Sequence, residues 1–518
     1  MAGTISVEKG EVMKAPDAAE ARELREKRLE AFTEPRVMIQ QFGIPINKLT
    51  DSDSYKVGHW VLYPPDTKTI YSYFESRGGA FNYNLFFGLQ TFLKTIEGQW
   101  VTKEMIDDME RIAELHFQRK GVFNRKGWER ILNVYGGKLP VTIKAVPEGT
   151  VLEPHNVLIT IENNDPELFW LTNYLETALV RMWSPTATGT VSMGIKGVIW
   201  KYLNETGSTD GLDFKLHDFG SRGVSSEESA GIAGAAHLVN FKGTDTLSAI
   251  QVHRRVYGEE MAGFSVIATE HSIMTAEGRD GEPKVVKRLL DAFPTGIVAC
   301  VADSYDLYNF VEHIIGEQFH DQIMARDGIF VVRPDSGIPH EVVLWTVEML
   351  GKKVGYTVNE KGYKVLDPHV RVIQGDGINH ESIVKILQVL KEHRWSAENV
   401  TFGMGGALLQ KPHRDTLEMA FKCSWRLTTD GREVEVYKQP KTDSMKNSKR
   451  GRLKLIRTED GKHKTVHPND PGEDQLVEVF RDGEIVRYYT LAEIRRRADE
   501  RFYDLMRRGE TIKKVGVE

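Results

Sequence analysis

The chain has 518 residues, of which 40% are hydrophobic and 27% are charged, and its formal net charge at pH 7 is −6. This composition is typical of a soluble globular protein of about two to four domains, and the acidic balance argues against nucleic-acid binding. The sequence has no run of about 18 apolar residues and no N-terminal apolar core, so we expect neither a membrane span nor a signal peptide.

The cysteine content argues against disulfide and zinc chemistry. Only Cys300 and Cys423 are present, and no metal-ligand spacing connects them. This usage is typical of a reducing compartment and predicts a cytoplasmic protein.

Both ends of the chain differ from its centre. Residues 1–40 are predicted to form a charged N-terminal extension, and residues 41–180 together with 420–518 an α+β domain. Within the latter, alternating residues over 141–160 predict antiparallel strands. Three Asp-Gly pairs, each typical of a tight hairpin, follow near the C-terminus: Asp430-Gly431, Asp460-Gly461 and Asp482-Gly483.

Residues 181–419 repeat one pattern, in which an apolar strand-like run ends in a polar or glycine-rich turn and a helical pattern often follows. Continuous runs rich in Val and Ile are typical of a parallel sheet covered on both faces. The fold class is therefore predicted as α/β with a barrel-like (β/α) domain, although a doubly wound sheet would place the same turns similarly. The predicted strands are Leu212–Phe219, Phe264–Ala268, Gly296–Ala302, Ile329–Val332, Val370–Ile373 and Val400–Phe402.

Two glycine-rich turns directly follow predicted strands. They are Gly375-Asp376-Gly377 and Gly403-Met404-Gly405-Gly406. Glycine allows backbone N–H groups to approach an anion closely, so these turns are candidates for binding a phosphate. Tight turn geometry alone is the alternative explanation.

Charged residues at other strand ends complete a candidate site. Arg333 suits phosphate oxygens, and Asp335 suits Mg²⁺ or ribose hydroxyls, although a surface ion pair has the same sequence pattern. Arg222 and His271 lie at two further strand ends, where the histidine is a candidate acid, nucleophile or phosphate partner. Asp303 adds a carboxylate that suits either a metal or a helix cap.

Two other features of the sequence narrow the possible classes of function. The sequence contains neither a P-loop lysine signature nor a dinucleotide glycine fingerprint, which weakens the kinase and dehydrogenase interpretations. A run of basic residues over 438–452 indicates either a polyanion contact or a solvated loop. The residues themselves therefore predict a phosphate-rich small-molecule site without defining its substrate.

Motifs distributed from about Lys48 to Arg452 are similar to those of the nicotinamide phosphoribosyltransferase family, within the nicotinate/nicotinamide phosphoribosyltransferase superfamily. Their order and spacing carry the resemblance. They are Asp53–Val57, Tyr71–Glu75, Leu216–Gly220, Arg222–Ser226, Asn240–Thr246, Glu270–Ser272, Asp303–Asp306, Arg333–Gly337, Gln374–Gly377 and Leu408–Lys411.

The resemblance implies roles for individual residues at the pyridine ring. Phe219 and Tyr55 would sandwich the ring, with Tyr55 contributed by the other subunit of a homodimer. Asp245 would accept a hydrogen bond from the carboxamide and would repel the carboxylate of nicotinate. Ser265 would also lie at the substrate.

The resemblance also implies a site for phosphoribosyl pyrophosphate (PRPP). The catalytic residues would be His271, Asp335, Arg333 and Asp303, with Arg222 and Arg333 on phosphates and Asp335 on the ribose. Mg²⁺ would bind through Asp303 and Asp335. The ribose phosphate would contact Gly375, Asp376, Gly405 and Gly406, and the partner subunit would contribute Arg77, Arg414, Lys422, Lys438 and Lys446.

The activity implied is the transfer of the phosphoribosyl group of PRPP to nicotinamide, with ATP hydrolysis stimulating the reaction through phosphorylation of His271. A nicotinate phosphoribosyltransferase is the first alternative. A non-catalytic signalling or scaffold dimer on the same fold is the second.

Overall fold

Two seven-stranded sheets organise the computed structural model, which describes residues 46–442, 447–510 and 512. Asn47–Glu518 belong to one compact unit. The predicted extension, residues 1–40, lies outside the described residues, and the division into domains stays a prediction.

The strands, numbered in chain order, are β1 (Thr67–Ser76), β2 (Asn84–Leu85), β3 (Val141–Ala145), β4 (Val151–Leu152), β5 (Val157–Asn163), β6 (Leu216–Asp218), β7 (Gly243–Thr244), β8 (Ile267–Ala268), β9 (Thr295–Val301), β10 (Asp327–Arg333), β11 (Tyr356–Val358), β12 (Lys364–Leu366), β13 (Val370–Gln374), β14 (Val400–Met404), β15 (Met419–Thr428), β16 (Glu433–Glu435), β17 (Lys454–Arg457), β18 (His463–Val466), β19 (Val477–Arg481) and β20 (Glu484–Ile485).

Helices cover both sheets and connect their strands. The α-helices of the described residues are Leu89–Ile96, Lys103–Phe117, Arg125–Tyr135, Leu171–Tyr174, Glu176–Val180, Trp183–Thr206, Glu227–His237, Leu247–Val256, His271–Thr275, Glu282–Ala292, Leu307–Asn309, His320–Met324, Pro339–Lys353, His380–Glu392, Gly406–Leu409 and Leu491–Arg507, and Phe310–Gln318 is a π-helix. No helix among these is long and apolar enough to cross a membrane.

The first sheet is parallel throughout, in the order β7-β6-β14-β13-β10-β9-β8. A parallel bridge joins Gly243 in the edge strand β7 to Phe264, three residues before the opposite edge strand β8. The two edges of the sheet are thereby linked, and helices follow most of the strands. The predicted barrel-like α/β fold is confirmed. Because its strands are parallel and joined by crossovers, their carboxyl ends meet at one end of the barrel.

Local signals in the sequence begin the helices that flank this barrel. Asn379 accepts a hydrogen bond from the backbone N–H of Ser382 at 2.9 Å and forms a capping box at the start of His380–Glu392. Pro339 occupies the first position of Pro339–Lys353, where proline loses no helical hydrogen bond.

The second sheet is antiparallel and has the order β16-β15-β1-β5-β3-β19-β20. Its strands come from residues 67–163 and 419–485, so segments before and after the parallel sheet in the sequence build it together. Each predicted Asp-Gly hairpin is confirmed, because β15 pairs with β16, β17 with β18 and β19 with β20. The three glycines have φ of 86°, 80° and 85°, a backbone region that other residues enter at a cost.

Two histidines are fully buried in the helices beside the barrel. His237 Nε2 lies 3.2 Å from the carbonyl oxygen of Gly243, and His253 Nε2 lies 2.9 Å from that of Ala235. Burial lowers the pKa of each imidazole to about 3, because charge is unfavourable where water is excluded. Both side chains are therefore neutral in the folded protein at neutral pH.

These histidines predict a loss of stability in acid. Below an ordinary histidine pKa of about 6.5, the unfolded chain binds protons that the folded chain does not, so the free energy of unfolding falls as pH decreases toward 3. We expect His253→Gln, which keeps a hydrogen-bond donor, to lose about 2 kcal/mol less than the unsubstituted protein between pH 7 and pH 5. Urea denaturation at both pH values measures this difference, and equal losses would contradict it.

Candidate active site

A cavity of about 770 Å³ lies at the carboxyl ends of the parallel strands. Its lining residues end or follow β6, β7, β8, β9, β10, β13 and β14, so seven separate segments contribute to one site. These residues are Phe219, Ser221, Arg222, Gly223, Asp245, Thr246, Glu270, His271, Ser272, Val301, Arg333, Asp335, Gly375, Asp376, Gly405 and Gly406.

The structure brings together most of the residues that the sequence predicted for the site. Ten of them line the cavity: Phe219, Arg222, Asp245, His271, Arg333, Asp335, Gly375, Asp376, Gly405 and Gly406. Asp303 and Ser265 lie just behind it, in contact with His271 and Asp245 respectively. Tyr55, Arg77, Arg414, Lys422 and Lys438 do not line it, and Lys446 lies outside the described residues.

The ring of Phe219 lies against the backbone of the neighbouring strand ends. A Cβ atom added at Gly403 would lie 2.0 Å from Phe219 Cε2, and one at Gly375 would lie 3.2 Å from the same atom. The Arg333 guanidinium is 5.1 Å from the ring centre, a cation–π distance. Glycine at position 403 is therefore required for this aromatic ring to occupy its place in the cavity wall.

Asp245 directly follows β7, and two neighbouring side chains form hydrogen bonds with its carboxylate. His217 Nε2 lies 2.9 Å from Asp245 Oδ1, and Ser265 Oγ donates a hydrogen bond to the same oxygen. Burial acts to raise the pKa of Asp245, but the hydrogen bonds from His217 and Ser265 and the charge of Arg333 outweigh it, so the pKa lies below its ordinary value. The cavity therefore presents a fixed negative charge at this end of β7.

A second set of charged side chains, Arg333, Asp335 and Asp303, lies around His271. Arg333 Nη2 lies 3.0 Å from both oxygens of Asp335, a two-oxygen contact that fixes the guanidinium. His271 Nε2 lies 3.4 Å from Asp335 Oδ2 and 3.9 Å from Asp303 Oδ1, while its Nδ1 lies 3.1 Å from Ser304 Oγ. The imidazole is thus oriented by Ser304, and its Nε2 lies between two carboxylates.

Two observations bear on a metal ion at these carboxylates. Asp303 Oδ1 is buried and accepts no hydrogen bond from the described part of the chain, although carboxylate oxygens in such surroundings ordinarily have a partner. Among the residues described, no three or more His, Cys, Asp or Glu side chains form a metal-binding group by themselves. Mg²⁺ commonly uses only one or two carboxylates and takes its other ligands from water and phosphate, so Asp303 and Asp335 fit it in the presence of a phosphorylated ligand.

A cationic cluster lies on the antiparallel sheet, away from the cavity of the same chain. Arg77 Nε lies 3.0 Å from Glu75 Oε1, and Lys449 also contacts Glu75. Arg77 Nη2 is buried and has no hydrogen-bond partner among the described residues. Burial lowers the pKa of Lys422; the charges of Arg77 and Lys438 act in the same direction, and those of Glu176 and Glu75 oppose it. The cations Arg77, Lys422, Lys438 and Lys449 outnumber the carboxylates Glu75 and Glu176, which favours an anion.

Several lining residues were missed in the sequence. Ser221, Gly223, Thr246, Glu270, Ser272 and Val301 line the cavity, and His217 contacts Asp245 beneath it. Their positions within strands or directly after them were the sequence signal that could have identified them as residues of the site. In β6, alternation places His217 on the same face as Phe219, and this periodicity identifies it as a residue that faces the site.

Sequence profiles of known families match most of the chain. The profile of the nicotinate phosphoribosyltransferase (NAPRTase) family matches residues 214–484, and that of the nicotinamide phosphoribosyltransferase N-terminal domain matches residues 47–143. Together with the barrel-like fold and the cavity, these matches define an enzyme of the phosphoribosyltransferase class.

Relatives named nicotinamide phosphoribosyltransferase match nearly end to end. The protein of Xanthomonas campestris pv. campestris is 46% identical over 465 residues, which cover 88% of this chain and 98% of the relative. The protein of Acinetobacter baylyi is 31% identical over 492 residues, which cover 87% and 97%. The chain belongs to the nicotinamide phosphoribosyltransferase family.

Solved structures agree with the fold. Nicotinate-nucleotide pyrophosphorylase from Pyrococcus furiosus has a TM-score of 0.58 at 17% identity and covers 90% of this chain and 100% of its own. Human nicotinic acid phosphoribosyltransferase has a TM-score of 0.51 at 14% identity, with coverages of 87% and 93%. At these identities the comparison bears on the fold alone.

The cations of the cavity predict pyrophosphate binding. We expect Arg333→Met to weaken pyrophosphate binding by about ten- to a hundredfold, because hydrogen bonds to a charged ligand are lost. Isothermal titration with pyrophosphate measures the affinity. Arg288→Met removes the same charge from an exposed helix outside the cavity and should bind as the unsubstituted protein does. Equal affinities for both variants would contradict the assignment.

Proposed function

We propose that this enzyme transfers the phosphoribosyl group of PRPP to nicotinamide, giving nicotinamide mononucleotide and pyrophosphate in NAD salvage. One observation carries the choice of acceptor: the Asp245 carboxylate, held in its charged form, faces the cavity that also contains the Phe219 ring.

The acceptor fits these two residues by stacking and by charge. Nicotinamide is a flat ring with an amide, whose NH₂ group donates to a carboxylate, and Phe219 offers a face for stacking. Nicotinate carries a carboxylate where nicotinamide carries the amide. Binding it would place two negative charges together in a partly buried site and would leave Asp245 without a donor.

The donor fits the remainder of the cavity. Arg222 and Arg333 supply positive charge for pyrophosphate, and the turns at Gly375-Asp376 and Gly405-Gly406 let backbone approach the ribose phosphate. Asp335, already oriented by Arg333, suits the ribose hydroxyls. Mg²⁺ held by Asp303 and Asp335 would supply further positive charge at the pyrophosphate.

The chemistry is a displacement at the anomeric carbon of PRPP. The pyridine nitrogen of nicotinamide forms the new C–N bond, and the bond from the same carbon to the pyrophosphate oxygen breaks with its electron pair. Positive charge develops on the ribose ring and negative charge on the leaving group. Arg222 and Arg333 line the cavity and would stabilise the charge on the leaving group, and enclosing both reactants in one cavity would supply orientation.

Coupling to ATP is assigned to His271. Its Nε2 is exposed to the cavity and flanked by Asp303 and Asp335, and its Nδ1 is fixed by Ser304. An oriented imidazole nitrogen beside a phosphate site suits attack on the γ-phosphorus of ATP, which would form a P–N bond, break the bond to the β-phosphate oxygen, and give ADP and phosphohistidine. Its hydrolysis releases phosphate and returns the free imidazole.

A homodimer with shared sites accounts for the predicted residues that lie away from the cavity. Tyr55 has 61% of its surface exposed on a short 3₁₀ helix, with its ring centre 5.3 Å from that of His59, so much of its ring is available for a further contact. The cluster around Arg77 and Lys422 contains more cationic side chains than carboxylates. In a two-fold dimer, Tyr55 would cover the ring bound at Phe219 of the other subunit, and the cations would meet its phosphates.

The first prediction concerns selectivity. Asp245→Asn removes the negative charge and adds an amide donor, so we expect the ratio of kcat/KM for nicotinate to that for nicotinamide to rise at least tenfold. Steady-state assays with saturating PRPP measure the ratio. Asp213→Asn, which neutralises a half-exposed carboxylate paired with Lys242 outside the cavity, should leave the ratio unchanged. Unchanged selectivity in Asp245→Asn would rule out pairing with the amide.

The second prediction concerns ATP. We expect His271→Ala to lose ATP stimulation while retaining part of the PRPP-driven synthesis, because the phosphate acceptor is gone but the nicotinamide and PRPP contacts remain. His313→Ala removes an exposed imidazole from the π-helix and should keep the stimulation. Rates with and without ATP measure both. Stimulation that survives in His271→Ala would exclude this histidine as the phosphate acceptor.

The third prediction concerns shared sites. Tyr55→Ala and Arg333→Ala are each expected to be inactive, but a mixed dimer has one intact site. An equimolar mixture should recover about one quarter of the unsubstituted activity once subunits have exchanged. Exchange is verified separately with differently tagged chains. No recovery after proven exchange would contradict the shared site.

A further inference from the structure

We propose that His217 is a positioning and specificity-determining residue, which turns Asp245 so that its Oδ2 oxygen is left for the acceptor amide. The inference rests on the proposed function, because it requires the amide of nicotinamide to meet Asp245. His217 was not among the residues that the sequence predicted for the site.

Two donors converge on one oxygen of Asp245. His217 Nε2 lies 2.9 Å from Oδ1, and the Ser265 hydroxyl donates to the same atom. A carboxylate has acceptor sites on both oxygens, so occupying Oδ1 twice fixes the rotation of the group and leaves Oδ2 for a ligand. Since a carboxylate only accepts hydrogen bonds, His217 must carry its proton on Nε2.

The backbone around β6 fixes the imidazole of His217. The strand lies between β7 and β14, with His217 directly opposite Gly243 on one side and Gly403 on the other. A Cβ atom at Gly243 would lie 2.8 Å from His217 Nδ1, so any larger residue there would displace the ring. The His217 side chain is 11% exposed, and its ring centre lies 5.1 Å from that of Phe219. Movement of this imidazole would therefore disturb both substrate-facing groups.

This arrangement determines selectivity through the charge of Asp245. A neutral carboxylic acid can donate a hydrogen bond to the carboxylate of nicotinate, whereas a carboxylate can only repel it. Donation from His217 and Ser265 favours the charged form, and the nearby Arg333 charge acts in the same direction. His217 therefore supports both the orientation that accepts nicotinamide and the charge that rejects nicotinate, without touching either ligand's reacting atoms.

Two substitutions separate the hydrogen bond from the shape of the ring. His217→Leu keeps an apolar side chain of similar size and removes the donor, whereas His217→Gln restores an amide nitrogen that can reach Oδ1. We expect His217→Leu to raise the KM for nicotinamide about tenfold or more, with kcat and the KM for PRPP changed less than about twofold. His217→Gln should recover most of the loss. Should His217→Leu not fold, His217→Asn, which is too short to reach Oδ1, is expected to give the same result.

A double-mutant cycle tests whether His217 acts through Asp245. In the Asp245→Asn background, adding His217→Leu should change the KM for nicotinamide less than about twofold, because the carboxylate that it positions is already gone. A full tenfold effect in that background, an equal defect in the Gln and Leu variants, or unchanged KM in the single variant would overturn this inference. Absence of nicotinamide turnover by the unsubstituted enzyme would instead overturn the proposed function, and the inference with it.

Discussion

The link between the two edges of the parallel sheet is the constraint on which the site depends. Gly243 in β7 pairs with Phe264 just before β8, so the first and last strands of the sheet meet. This arrangement brings Asp245, which directly follows β7, within hydrogen-bond distance of Ser265, which directly follows Phe264 and precedes β8. An open sheet would separate them by its full width, because neighbouring strands lie about 5 Å apart. The hydrogen bond from Ser265 to Asp245 is therefore a consequence of the barrel-like fold.

Glycines at the strand ends allow the functional side chains to pack closely against the backbone of neighbouring strands. Gly403 leaves space for the ring of Phe219, Gly243 for the imidazole of His217, and Gly375 for the contact between Arg333 and Asp335. A Cβ atom at Gly403 or Gly243 would clash with the functional side chain, and one at Gly375 would lie 3.2 Å from Asp335 Oδ1, a tight contact. The Asp245 carboxylate and the Arg222 and Arg333 cations of the cavity are contributed by segments that end or follow different strands.

Much of the fold followed from local patterns in the sequence. The Asp-Gly hairpins and the buried strands were predicted because tight turns and continuous apolar runs are properties of neighbouring residues. The predicted strand Leu212–Phe219 was too long, since Leu212–Phe214 form a 3₁₀ turn and only Leu216–Asp218 are paired. Phe310–Gln318 form a π-helix, which apolar spacing alone does not distinguish from an α-helix.

Less of the site than of the fold could be predicted from local sequence patterns. Residues considered alone indicated phosphate binding at strand ends, and the identity of the acceptor came from the family resemblance. His217 was missed because its partner Asp245 is distant in the sequence and directly follows the adjacent strand β7, a pairing that only the assembled sheet defines. The roles of Tyr55 and Arg414 depend on a second subunit and stay predictions for the same kind of reason.

The most direct test of the account is product formation by the unsubstituted enzyme. PRPP and Mg²⁺ would be supplied with nicotinamide or with nicotinate in parallel, and the mononucleotides would be separated and quantified by chromatography. The account predicts nicotinamide mononucleotide and pyrophosphate from the first reaction, with little or no product from the second. Product from nicotinate alone would contradict the role of Asp245, and no product from either acceptor with folded protein present would contradict the proposed activity.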